Sequence, residues 1–201
     1  MRTTTITALI AVAAGAALVL AGCGTDSAGT SATSGASTSA VEARAQFNDA
    51  DVAFVGGMYP HHAQAVEMAD MVAGHTDNAD VVAFAAAIKA AQQPEMDRMT
   101  TWLQQWGQPA PTSDTSDTSG MRGMNHGDGM MPADQMDALT ALSGTQFDRQ
   151  WLTMMIEHHE GAIDMANTEL ADGENPEARQ MATDIVTAQQ REIADMQAAL
   201  G

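Results

Sequence analysis

From residue 48 to 73 the apolar positions Phe54, Met58, Ala65, Met68, Ala69 and Val72 recur every three or four residues, with His61 and His62 among them. At about 100° per residue all eight share one helical face, while Gln64, Glu67 and Asp70 fall opposite. Pro60 lacks a backbone donor and crowds the preceding turn, so it predicts a kink or a helix start nearby. The segment 74–78 is a turn with capping residues, and a second helix is expected over 80–106. Its inner face carries Ile88, Ala91, Gln92, Glu95, Met99 and Trp102, and Pro94 is expected to bend it. Trp106-Gly107 followed by Pro109 and Pro111 is a stop signal. After a polar connection, a short helix is expected over 132–142 and long ones over 145–171 and 176–200.

The third and last long helices repeat the first two. His158 follows His61 by 97 residues, and that offset holds without a gap from Asp51/Asp148 to Met99/Met196. Identical pairs include Met58/Met155, His62/His159, Ala65/Ala162, Ile88/Ile185, Gln92/Gln189 and Glu95/Glu192. Two units are too few for an open solenoid, so the duplication predicts a closed bundle. No period-two strand pattern appears. The expected fold is all-α, a four-helix bundle of two duplicated hairpins. Repeat 1 spans about 46–106, the connection 107–131 and repeat 2 about 145–201, within one domain at 46–201. Duplication would bring His61, His62, His158 and His159 together near a pseudo-twofold axis.

Met58, His61 and His62 stand at i, i+3 and i+4, so a thioether and two imidazoles reach one helical surface. Met155, His158 and His159 repeat the set, and Met154 adds a sulfur. Thioethers select copper(I), and imidazole accepts copper in either state. The connection contributes Met121, Met124, His126, Met130 and Met131, which as exposed methionines among glycines would wrap an ion rather than pack a core. Against this stands the plainer reading of histidines hydrogen-bonded in a core and methionines as core filler. Inward Glu95 and Glu192, with Gln92 and Gln189, need partners under either reading and are the natural supporting groups.

The balance of 8 Lys+Arg against 26 Asp+Glu gives a net charge of −18, which disfavours nucleic acid and anionic lipid and attracts cations. Arg2 and the apolar run 6–21 read as an export signal over 1–22. Cys23, the only cysteine, follows Leu20-Ala21-Gly22 in the manner of a bacterial lipobox. It predicts a lipid-anchored protein facing the extracytoplasmic side of the cell membrane, on a flexible linker over 23–45. One cysteine excludes an intrachain disulfide. No phosphate loop or nucleophile elbow is present.

The blocks at 58–69 and 155–166, with the Gln-Gln-x-Glu-x-x-x-Met tails at 92–99 and 189–196, resemble the domain of unknown function family 305, here as two repeats. That resemblance implies a ferritin-like bundle and, through the family's CopM-like members, copper handling, carried onto Met58, His61, His62, Met155, His158 and His159. Glu157 stands in place of Pro60 and Gly161 in place of Gln64. The leading expectation is a membrane-tethered protein that sequesters or delivers copper(I), with silver(I) as a further cargo and a copper donor or acceptor protein as partner. The alternatives are a ferritin-like di-metal oxidase and a metal-free structural module. An enzyme is the less favoured class, because each copy reads Met-x-x-His where a di-iron site has Glu-x-x-His.

Overall fold

A computed structural model describes residues 46–112 and 129–201. The expected leader, Cys23, the linker as far as residue 45, and Met121, Met124 and His126 lie outside the described residues. Among the described residues five helices follow in order: α1 (Asp49–Met71), α2 (Ala79–Gln105), α3 (Ala133–Thr140), α4 (Gly144–Asp172) and α5 (Pro176–Leu200). Among the described residues there is no strand, and no helix is long and apolar enough to cross a membrane.

Local chemistry sets the helix ends. The Asn48 side chain accepts from the amides of Ala50 and Asp51 at 2.8 and 3.0 Å, while Asp51 reaches back to the Asn48 amide. This reciprocal box satisfies donors that the first turn leaves open. Asn175 caps α5 through Glu177 and Ala178, with Pro176 in the first turn. At the end of α2, Gly107 adopts φ 68° and the Gln108 amide bonds back to Leu103 at 2.8 Å. That is a Schellman stop, which glycine makes without a Cβ penalty. Pro60 and Pro94 both lie inside continuous helices. Of the two expectations at Pro60, a kink or a helix start, the start is excluded, because the helix already begins at Asp49 and its packing outweighs one missing backbone bond.

Each hairpin pairs its own helices, α1 with α2 and α4 with α5, and the hairpins meet chiefly through α1 against α4. The central pair is antiparallel in a symmetric register. His61 faces His158, and seven residues further on the Met68 carbonyl accepts Trp151 Nε1 at 2.8 Å, seven residues before His158. At one end the Asn175 amide donates to Asp51 at 2.8 Å; at the other, Asn78 donates to Asp148 at 3.0 Å. Both Asp and both Asn obey the 97-residue offset, so each hairpin's turn clamps the other hairpin's first helix.

The core divides into two apolar clusters. One holds Met58 with Met99, Ala162, Ala166 and Ile185; the other holds Met155 with Ala65, Met68, Ala69 and Met196. Fully burying a methionine contributes roughly 1.5–3 kcal/mol. All eight expected inner-face residues of α1 are buried. Two assignments change. Gln64, expected outside, is buried because α1 is central and covered on three sides. Ala91, expected inside, is exposed, and Met96 takes its place in the core, because α2 is peripheral and buries a narrower stripe.

Candidate metal centre

At the middle of the α1–α4 seam the rings of His61 and His158 meet, centroids 3.7 Å apart and tilted by 40°. His159 lies 6.3 Å from His158, centroid to centroid. His62 and His159 turn outward to the flanking helices. His62 Nε2 bonds Glu95 on α2 at 2.7 Å, and His159 Nε2 bonds Glu192 on α5 at 2.8 Å. In each pair it is the second histidine that bonds the carboxylate. The helical step explains it, since about 100° separates adjacent residues and aims one ring across the seam and the other at its own hairpin partner.

All four imidazoles are buried, His62, His158 and His159 completely. A ring that gives its Nε2 hydrogen to a carboxylate keeps a free lone pair on Nδ1, the arrangement common to metal-binding histidines. Nδ1 of His62 and of His159 has no hydrogen-bond partner, and the His158 ring has no side-chain partner, only the His61 backbone. Burial, followed by the imidazoles of His61, His159 and His62, holds His158 well below the usual histidine pKa. It is therefore a neutral ring, one nitrogen of which has a lone pair to offer. The amide groups of Gln92 and the Oε1 of Gln189 are also buried without partners. Gln92 and Gln189 thus occupy the interior but do not hydrogen-bond the histidines, as supporting groups would. Unmet buried polar atoms cost about 1–3 kcal/mol each, so such a concentration needs a ligand or water to offset it.

Met58 and Met155 lie one turn before His61 and His158 and are fully buried, as is Met154 to 1%. Antiparallel packing puts Met58 among the α4 residues that follow His158, and Met155 among the α1 residues that follow His61. The sulfurs therefore flank the central histidine pair on both sides. Among the described residues no three His, Cys, Asp or Glu side chains are placed to hold one ion. Thioether sulfur is the further donor that the surrounding residues offer such an ion, and a donor set of imidazole and thioether without thiolate suits copper(I) or silver(I). The residues fit such a soft ion better than a hard one.

Met131 departs from its expected exposed role. It is 7% exposed and belongs to the core cluster of Met154 and Met155, while Met130 is half-buried. The Gln64 side chain holds it at both backbone groups, donating to its carbonyl at 2.9 Å and accepting from its amide at 2.7 Å. Gly129 lies so close to α4 that a Cβ would stand 2.7 Å from the Glu157 carbonyl and 2.9 Å from Gly161 Cα. Gln64 and Gly161 are equivalent under the 97-residue offset. The sequence marked both positions as departures between copies, but nothing local to either showed that a strap lies across them. His75 stacks on Phe147 and donates from Nε2 to the Thr140 carbonyl at 3.1 Å, remote from the other histidines.

Fold and centre together define an all-α four-helix bundle with a buried histidine–methionine core. The family model for a domain of unknown function, DUF305, matches residues 51–200, and the chain belongs to that family. The matched range spans both hairpins. A DUF305 fragment from Deinococcus radiodurans is similar at 32% identity and a TM-score of 0.66, covering 77% of this chain and 97% of that one. A DUF305 protein from Streptomyces coelicolor is similar at 33% identity and 0.62, covering 73% and 89%. CopM in its Cu(II)-bound form is similar at 32% identity and 0.62, covering 75% and 95%. CopM structures with Cu(I) and with silver are each 30% identical with a TM-score of 0.59. A comparison with curated proteins finds no match.

Proposed function

We propose that the chain binds copper(I), with silver(I) as an alternative cargo, at the buried centre of Met58, His61, His62, Met155, His158 and His159. The observation that carries this reading is the set of buried imidazole nitrogens without partners on His62, His158 and His159, flanked by fully buried sulfurs. Glu95 and Glu192 orient two of the rings, as carboxylates behind metal-bound histidines do. The copper- and silver-bound forms of the similar protein CopM support the choice of ion. With Cys23 lipidated, the protein sequesters copper outside the cytoplasmic membrane or hands it to a partner protein there.

The oxidase alternative lacks its donors: a di-iron site needs carboxylates from several helices, and among the described residues no such set converges. The structural alternative draws on the His62–Glu95 and His159–Glu192 bonds, which satisfy one nitrogen of each ring and leave the other unmet.

Anaerobic titration with copper(I) in competition with a chromogenic chelator tests the assignment, using the wild-type chain and a variant with His61, His62, His158 and His159 all changed to alanine. Circular dichroism confirms that the variant is helical. Loss of tight binding in the variant is expected; equal affinity and stoichiometry in both proteins would remove these histidines from the site.

A further inference from the structure

The two sides of the α1–α4 seam differ. On one side His62 and His159 run out to α2 and α5, and those helices close the approach. On the other, among the described residues, lie the strap, residues 129–131, and α3. The strap rests on Gln64 and Gly161, each three residues after a central histidine. At about 100° per residue, Gln64 and Gly161 point some 60° away from His61 and His158, to the side opposite His62 and His159. The strap therefore passes directly over the histidine pair.

Beneath it the two helices are unequal. Met154 lies about 20° around α4 from Gly161 and so faces the strap, whereas its counterpart on α1, by the 97-residue offset, is Gly57. On α1 the sulfur turned to this side is Met71, packed against the same cluster but ten residues from His61, whereas Met154 stands four residues from His158. Met131 belongs to the same apolar cluster as Met154. The soft groups descend in exposure from half-buried Met130 through Met131 at 7% and Met154 at 1% to His158 at 0%. His158, at the inner end, is completely buried and has no side-chain hydrogen-bond partner.

We infer that copper(I) enters the centre from the strap side, through a relay of Met131 and Met154 that delivers the ion to His158, so that the α4 half of the centre loads first. This rests on the copper reading of the histidine centre. Each step exchanges one neutral ligand on the ion for another; only copper–ligand bonds form and break, and the ion stays copper(I). Thioethers suit the task because they bind this ion without a proton to release and are at home in an apolar layer. Were Met131 and Met154 core filler alone, replacing either with leucine would alter stability and nothing else.

The test is stopped-flow transfer of copper(I) to the full chain from its coloured bathocuproine disulfonate complex. Met131→Leu and Met154→Leu keep the core volume nearly constant, and Met181→Leu, buried in the other cluster, serves as control. Each relay variant is expected to slow uptake by about tenfold, equivalent to ~1.4 kcal/mol on one exchange step, and the control to load at the wild-type rate. X-ray absorption of the wild-type chain at sub-stoichiometric copper is expected to show sulfur bound to the first ions, with less sulfur in Met154→Leu. Wild-type rates in both relay variants, or first ions bound by nitrogen alone, would overturn the relay while leaving the copper site standing. No uptake by the wild-type chain would overturn the site itself.

Discussion

Glu169 occupies the place that Val72 holds in the first hairpin, and both are buried, at 1% and 3% exposure. Its carboxyl lies under the α4–α5 turn, where a Cβ on Gly173 would collide with it. Burial first, and then the Asp51 carboxyl alongside, raise its pKa from 4.5 to about 8 against an opposing pull from Arg179. The folded chain therefore keeps this proton over an interval in which the unfolded chain releases it. Native protein binds more protons there, so stability falls as pH rises from 4.5 and levels off above 8. At about 1.4 kcal/mol per unit, the whole interval corresponds to a loss on the order of 5 kcal/mol. Glu169→Gln retains the shape and a hydrogen to offer Asp51 but does not titrate. It is expected to match the wild type within about 1 kcal/mol near pH 4.5 and to exceed it by several kcal/mol near pH 8.5. Urea unfolding of both chains across this range measures the difference, in which other titrating groups cancel. His158 is one of them: with its pKa lowered, its contribution rises with pH through the usual histidine range. A difference between the two chains that does not change with pH would refute the reasoning about Glu169.

Removing the carboxylates behind the rings, in Glu95→Ala with Glu192→Ala, is expected to weaken copper(I) binding by about 10–100-fold in chelator competition, because the rings lose the bonds that orient them. Asn175→Ala loses the α5 cap and the bond to the Gln46 carbonyl, and denaturant unfolding should record a loss of about 1–2 kcal/mol. Trp151→Phe leaves the Met68 carbonyl without its donor across the seam, at a cost of about 1–3 kcal/mol by the same measurement. Gly129→Ala places a Cβ 2.7 Å from the Glu157 carbonyl on a backbone at φ 76°. It should lift the strap, read as faster hydrogen exchange at the Met131 amide, whose bond to Gln64 would be lost.

Helix positions were legible because each long helix has its own local signals: the Asn48 and Asn175 caps, the Gly107 stop and the three-to-four spacing of Met58, Ala65, Met68 and Val72. The histidine pairs were legible because the same set recurs at one offset, which local packing alone does not require. Less legible was which ring meets which partner. His61 and His62 are neighbours with the same composition around them, and only the direction of α2 and α4 relative to α1 separates a ring that stacks on His158 from one that bonds Glu95.

Periodicity and duplication by themselves determined an all-α bundle of two matching hairpins with histidine and methionine turned inward, since these follow from spacing within each helix. The antiparallel register of α1 on α4 was decided by tertiary structure, and with it the contact of His61 with His158 and the sulfurs on either side. So was the burial of Gln64 and Met131. A polar side chain three residues after His61 belongs outside by periodicity, and a methionine at the end of a glycine-rich connection belongs in solvent. Both go inside because the strap brings Met131's amide and carbonyl to Gln64's own donor and acceptor, a match between residues 67 positions apart that no local pattern encodes.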